Sequence, residues 1–141
     1  MRRLDHVGIA VRSLAEARAL WEGKLGLAAS AAEEVAAQGV RVAFLPLPGL
    51  QLELLEATGS ASPVARHIAK RGEGLHHVAF EVPDLRAAMR EAREQGLQPL
   101  ADEPGVGAGG KLVCFLHPKA AGGVLLELVQ PQGRGGGPVP A

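Results

Sequence analysis

A chain of 141 residues is long enough for one ordinary domain or two small modules sharing a core, and its 47% hydrophobic content supports a folded interior. Fifteen Lys and Arg balance fifteen Asp and Glu, which excludes the broad positive field of a nucleic-acid binder and leaves room only for a local anion pocket. With one cysteine there is no internal disulfide, and no apolar run is long enough to span a bilayer, so a soluble cytoplasmic protein is expected.

In chain order, Leu4-Asp5-His6-Val7-Gly8-Ile9-Ala10-Val11 reads as a strand. Ser13 then caps a helix, with Glu16 placed for a capping box and Ala17, Leu20 and Trp21 on its apolar side. Gly26-Leu27 ends that helix, and a weak strand falls somewhere in residues 27–34. Two firmer strands follow, Gly39-Val40-Arg41-Val42-Ala43-Phe44-Leu45-Pro46 and Gly49-Leu50-Gln51-Leu52-Glu53-Leu54-Leu55-Glu56. Ser62-Pro63 is a cap and first-turn pair for a short linking helix over residues 64–71.

The same order then recurs. Leu75-His76-His77-Val78-Ala79-Phe80-Glu81-Val82 repeats the first strand, and Asp84 takes the cap position before Leu85, Ala88, Met89 and Ala92. Gly96-Leu97 ends the second helix, with the weak strand expected over residues 97–102. Gly110-Lys111-Leu112-Val113-Cys114-Phe115-Leu116-His117 and Gly123-Val124-Leu125-Leu126-Glu127-Leu128-Val129-Gln130 complete the copy. The predicted fold is α+β: two tandem βαβββ modules, residues 1–58 and 75–132, forming a curved mixed sheet with a central metal-binding cleft. Residues 59–74 are the linking helix region and residues 133–141, rich in Gly and Pro, a disordered tail. The glycine-rich loop over residues 102–110 is too flexible in composition for a regular element and reads either as a lid or as a long hairpin connection.

Strand side chains alternate faces, so His6 shares a face with Gly8 and Ala10, and His77 with Ala79 and Glu81. The small neighbours leave space beside each imidazole. Glu53 and Glu127 lie in apolar strands, where a carboxylate must face solvent or hold a strong internal partner. The duplication pairs His6 with His77 and Glu53 with Glu127; a two-fold relation between modules would let all four converge. Two imidazoles and two carboxylates suit a first-row divalent ion. The competing reading is a repeated structural polar network. Cys114, flanked by Leu112, Val113, Phe115 and Leu116, is expected as a small core residue. His76, in opposite phase to His77, reads as packing or a supporting hydrogen bond, and His67 as exposed on the linking helix. His117-Pro118-Lys119 is either a ligand-facing cation or a turn with a surface lysine. Arg66, Lys70 and Arg71 are either a solvated helix face or the edge of a phosphate site.

These segments, with Gly72-Glu73-Gly74 and Asp102-Glu103-Pro104, resemble the vicinal-oxygen-chelate superfamily and, within it, the methylmalonyl-CoA epimerases, over residues 4–130. The resemblance implies metal ligands at His6, Glu53, His77 and Glu127, and a divalent ion, Co2+ or Mn2+ ahead of Zn2+, Ni2+ or Mg2+. It implies a 1,1-proton transfer at carbon 2 of methylmalonyl-CoA, with Glu127 and Glu53 as the acid/base pair and a homodimeric enzyme without nucleic-acid or membrane partners. Some family members carry glutamine at the Glu53 position, and some carry glutamate where this chain has Val42, so a two-base mechanism does not transfer intact. A glyoxalase I-like isomerase and a non-catalytic metal or small-molecule binding module are the alternatives.

Overall fold

The computed structural model describes residues 3–132; the predicted tail over residues 133–141 lies outside them. Packing divides the described residues into one unit over His6–His76 and another from His77 onward that includes residues 3–5.

In the His6–His76 unit, strands β1 (Arg3–Val11), β2 (Glu33–Val35), β3 (Val40–Leu47) and β4 (Leu50–Ala57) are ordered β2-β3-β4-β1. β1 runs parallel to β4, and β2–β3 and β3–β4 are antiparallel. Helix α1 (Leu14–Arg18) begins as expected, with Ser13 Oγ accepting from the Glu16 amide at 3.2 Å. It then widens over Ala19–Lys24 into a π-type turn, in which the Leu25 amide donates to the Leu20 carbonyl. The widening shifts the helical phase: Trp21 packs against the core while Leu20, expected on the apolar side, is exposed. Val11, Leu14, Ala43, Leu45 and Leu54 form that core. Helix α2 (Pro63–Arg71) has Pro63 at its first position and Ser62 Oγ accepting from the Val64 amide.

The unit from His77 onward repeats the plan with β5 (Gly74–Glu81), α3 (Leu85–Glu94), β6 (Gly105–Val106), β7 (Leu112–Leu116) and β8 (Leu126–Gln130), ordered β5-β8-β7-β6. β5 is parallel to β8, and the other pairs are antiparallel. Asp84 caps α3 by accepting from the Ala87 amide. Leu85, Met89 and Ala92 are buried at helical spacing while Arg86, Arg90 and Arg93 face outward. Gly96, at φ +84°, closes the helix: its own amide donates to Arg93 and that of Leu97 to Ala92, a Schellman pair that needs the left-handed glycine.

The weak strand of this module is split between a single antiparallel bridge, Pro99 to Leu116, inside the expected residues 97–102 and a short pairing further on. Residues 98–100 reach β7 through Leu100 to Phe115 and His117 to Gln98 backbone bonds, but the regular pairing is made at Gly105–Val106. The loop over residues 102–110 is therefore not free of regular structure. It carries β6 and a tight turn at Ala108–Gly110, and Glu103 pairs with Arg86. Long-range pairing to β7 supplies what its glycine-rich composition does not.

Candidate metal centre

Each unit brings one histidine to one glutamate by the same register. In the His6–His76 unit, Gly8 on β1 lies opposite Glu53 on β4, and Glu53 opposite Phe44 on β3. His6 sits two residues before Gly8 on the same strand face, and its Nε2 is 3.4 Å from Glu53 Oε1. In the unit from His77 onward, Ala79 lies opposite Glu127, and Glu127 opposite Phe115. His77 precedes Ala79 by two, and its Nε2 is 3.5 Å from Glu127 Oε1. A glycine and an alanine at the crossing points keep side chains out of the space between imidazole and carboxylate.

All four groups are deeply buried, with residue exposures of 6% and 5% for His6 and Glu53 and 5% and 3% for His77 and Glu127. Both nitrogen–oxygen separations exceed the usual hydrogen-bond range of about 2.7–3.2 Å. Donors held about 2.0–2.2 Å from one ion and roughly 90–110° apart at it stand about 2.8–3.6 Å from each other. The observed spacings fall within that interval, so the two pairs fit adjacent ligand positions on a metal better than closely bonded partners. Each unit thus offers a divalent ion one buried imidazole and one buried carboxylate.

Phe44 and Phe115 were given no role by the sequence reading. Phe44 meets His6 edge-to-face with ring centroids 6.2 Å apart, and Phe115 meets His77 in the same manner at 5.3 Å. The rings fix the imidazole planes and dry the surroundings of each pair. The repeat carried the signal, because each Phe precedes a leucine at the same place in its module.

The chain matches the family model described as Glyoxalase/Bleomycin resistance protein/Dioxygenase superfamily over residues 5–115. It is 41% identical over 129 residues to human mitochondrial methylmalonyl-CoA epimerase, covering 91% of this chain and 73% of that protein. It is 42% identical over 130 residues to the ethylmalonyl-CoA/methylmalonyl-CoA epimerase of Cereibacter sphaeroides, covering 91% and 97%. A variant of Streptomyces coelicolor methylmalonyl-CoA epimerase, solved in complex with 2-nitronate-propionyl-CoA, superposes with a TM-score of 0.88 at 39% identity, covering 92% of this chain and 94% of that one. The chain belongs to the methylmalonyl-CoA epimerase family.

The resemblance implies a glutamate in some members where this chain has Val42, and the structure shows the surroundings of that valine. Val42 is 1% exposed, in phase with Phe44 and paired with Glu33 and Leu55, so a packed methyl surface stands where some members place a carboxylate. Several weaker candidates resolve into structural roles. His117 Nδ1 accepts from the Lys119 amide at 3.0 Å, so this imidazole caps the Pro118–Ala120 turn and Lys119 is an exposed surface cation. Arg66 donates to the Ala61 carbonyl, and with Lys70 and Arg71 it occupies the exposed face of α2. His76 makes a ring contact, within the packing or hydrogen-bonding role expected of it. Its ring contacts that of His67 at 4.8 Å, so His67 is half-buried, contrary to the expectation of an exposed helix residue. Burial first and Arg71 second lower the His67 pKa, partly opposed by a hydrogen bond with the Leu75 backbone.

Cys114 lies in the core with Leu85, Met89, Leu116 and Leu128, and burial raises its thiol pKa. The native protein should therefore resist a thiol-alkylating reagent at pH 8 and react fully once unfolded, as counted by mass spectrometry. Because the folded pKa is the higher one, this thiol's contribution to stability is present below the ordinary cysteine range and is lost as pH rises through the folded value. Rapid labelling of the native state would contradict the burial.

Proposed function

We propose that this chain is a metal-dependent epimerase that inverts carbon 2 of methylmalonyl-CoA by proton transfer through an enolate, with His6, Glu53, His77 and Glu127 as the ligands of one divalent ion. The observation that carries this reading is the pair of buried, repeat-related His/Glu contacts at 3.4 and 3.5 Å in a member of this family. Held by these residues, a divalent ion would supply Lewis-acid polarisation of the thioester carbonyl and would stabilise the negative charge that develops on its oxygen.

The chain's own groups supply proton transfer and exclusion of water. Inversion needs a base on one face of carbon 2 and an acid on the other. Glu127, beside His77 and walled by Phe115, removes or returns the proton on one face. Glu53 is its counterpart in the other module. With Val42 closing that face by packing, the mechanism is asymmetric, and Glu127 is the principal base. The family resemblance supports Co2+ or Mn2+ as the ion and a homodimer as the working form, with the cytoplasm as the location expected from the sequence alone. Charge balance supports a small-molecule substrate in place of nucleic acid, and no described helix is long and apolar enough to cross a membrane.

The test incubates protein loaded with each of several divalent ions with one methylmalonyl-CoA epimer in deuterated water. The configuration at carbon 2 should be lost with incorporation of solvent deuterium there. Ethylmalonyl-CoA run in parallel measures tolerance at the alkyl group. Neither inversion nor exchange with any ion, in protein shown to be folded, would reject the function and leave a glyoxalase I-like isomerase or a binding module as the surviving readings.

A further inference from the structure

Asp5 received no role from the sequence, yet it is 3% exposed, and a buried carboxylate of this kind requires compensation. Two cations lie near it within the same unit. Arg3 Nη2 is 3.7 Å from Oδ1, but this guanidinium is committed to Glu81, with Nε 2.5 Å from Oε2. Lys111 Nζ is 3.7 Å from Oδ2. At that separation the ammonium senses the charge without a close hydrogen bond, and a lysine carries three N–H donors that can turn elsewhere. The Lys111 side chain is 29% exposed while that of Asp5 is 4% exposed, so the pair has a buried carboxylate end and an ammonium end that solvent reaches.

The setting of Lys111 also breaks the internal repeat. Its counterpart is Val40, which is 1% exposed, and the counterpart of Asp5 is His76. Lys111 has extended backbone and stands in strand phase with Val113 and Phe115, the ring that walls His77. The glycine turn before it leaves open space, with room around a Cβ built at either Gly109 or Gly110. The His/Glu/Phe frame is symmetric between modules, whereas an acyl-CoA thioester is not. A cation present in only one module supplies the asymmetry that orients such a molecule.

We propose that Lys111, held in place by Asp5, is the anion-recognition residue of the substrate site, donating to carboxylate or phosphate oxygens of the acyl-CoA ester. The proposal rests on the epimerase reading. About 13 Å of strand separates Lys111 from Phe115 at roughly 3.3 Å per residue, a span that a lysine stem and an extended thioester cover together.

The test is calorimetric binding to wild type, Lys111→Met and Lys111→Arg, all metal-loaded, and is repeated metal-free. Three ligands separate the sources of negative charge: methylmalonyl-CoA, propionyl-CoA, which lacks the carboxylate, and methylmalonyl-pantetheine, which lacks the CoA phosphates. Lys111→Met should weaken binding about tenfold, with Lys111→Arg near wild type. A loss confined to the two methylmalonyl ligands assigns the carboxylate to Lys111, and a loss confined to the two CoA esters assigns a phosphate. Unchanged affinity in Lys111→Met, or an equal loss for all three ligands, overturns the proposal. Wild-type protein that binds none of them rejects the epimerase reading itself. Asp5→Asn should give a smaller loss of the same pattern, because it loosens the ammonium without removing it.

Discussion

Glu127→Gln should lower deuterium exchange at carbon 2 by roughly 100-fold or more, the usual scale for removing a general acid/base group, and should reverse sign in its effect on stability when metal is added. The carboxylate is 3% exposed and faces His77 Nε2 at 3.5 Å. Without an ion, glutamine has nearly the same shape and removes a buried charge, so the metal-free variant should melt no lower than metal-free wild type. With an ion, wild type gains stability according to its occupancy, about 2.7 kcal/mol at 100 times the dissociation constant. The variant should lose most of that gain because a neutral amide is a poorer ligand than a carboxylate. Melting curves of both proteins with and without metal therefore separate the two readings of the buried cluster. If the variant loses the same stability under both conditions, Glu127 belongs to a structural polar network. Glu53→Gln is the matched control: the family resemblance allows glutamine there, so an oxygen ligand persists and more exchange activity should survive than in Glu127→Gln.

Much of this centre is legible in the sequence because it rests on local pattern repeated twice. Period-two alternation placed each histidine beside a small residue, and duplication linked Glu53 to Glu127. The helix signals were local as well: Ser13, Ser62 and Asp84 each accept from a first-turn amide as the caps require. Features set by long-range pairing were not legible. Gly105-Val106 is an unremarkable dipeptide in a glycine-rich loop, and it becomes a strand only because Val113 and Leu112 lie opposite it. The π-type turn that exposes Leu20 departs from a period that the residues themselves satisfy. Asp5 resembles any strand-end carboxylate until folding brings Lys111 to it from the far end of the chain. The role of the two phenylalanines lay between these cases, with their positions repeated but their ring contacts visible only in three dimensions.

The largest stability effect that leaves the chemistry intact should come from Leu128→Ala. Leu128 is 1% exposed and packs with Val82, Leu85, Met89, Cys114 and Leu116, joining β8 to α3 and β7. Truncation removes buried methyl groups and leaves a cavity that this closely packed layer fills only in part, at a cost of about 2–5 kcal/mol. At roughly 2–5 °C per kcal/mol for a chain of this size, the melting temperature should fall by roughly 4–25 °C. Strand alternation then predicts a separation of effects. Leu128 follows Glu127 and points to the opposite face of β8, toward α3, while Glu127 shares its row with Ala79 and Phe115. Below its melting transition the variant should retain metal affinity and carbon 2 exchange close to wild type, in contrast to Glu127→Gln, which keeps its fold and loses its chemistry. A loss below about 1 kcal/mol would mean that the α3 face of β8 is not the core of this unit. A collapse of metal affinity at temperatures where the variant remains folded would mean that the two faces of β8 are coupled, with the position of Glu127 depending on the packing behind it.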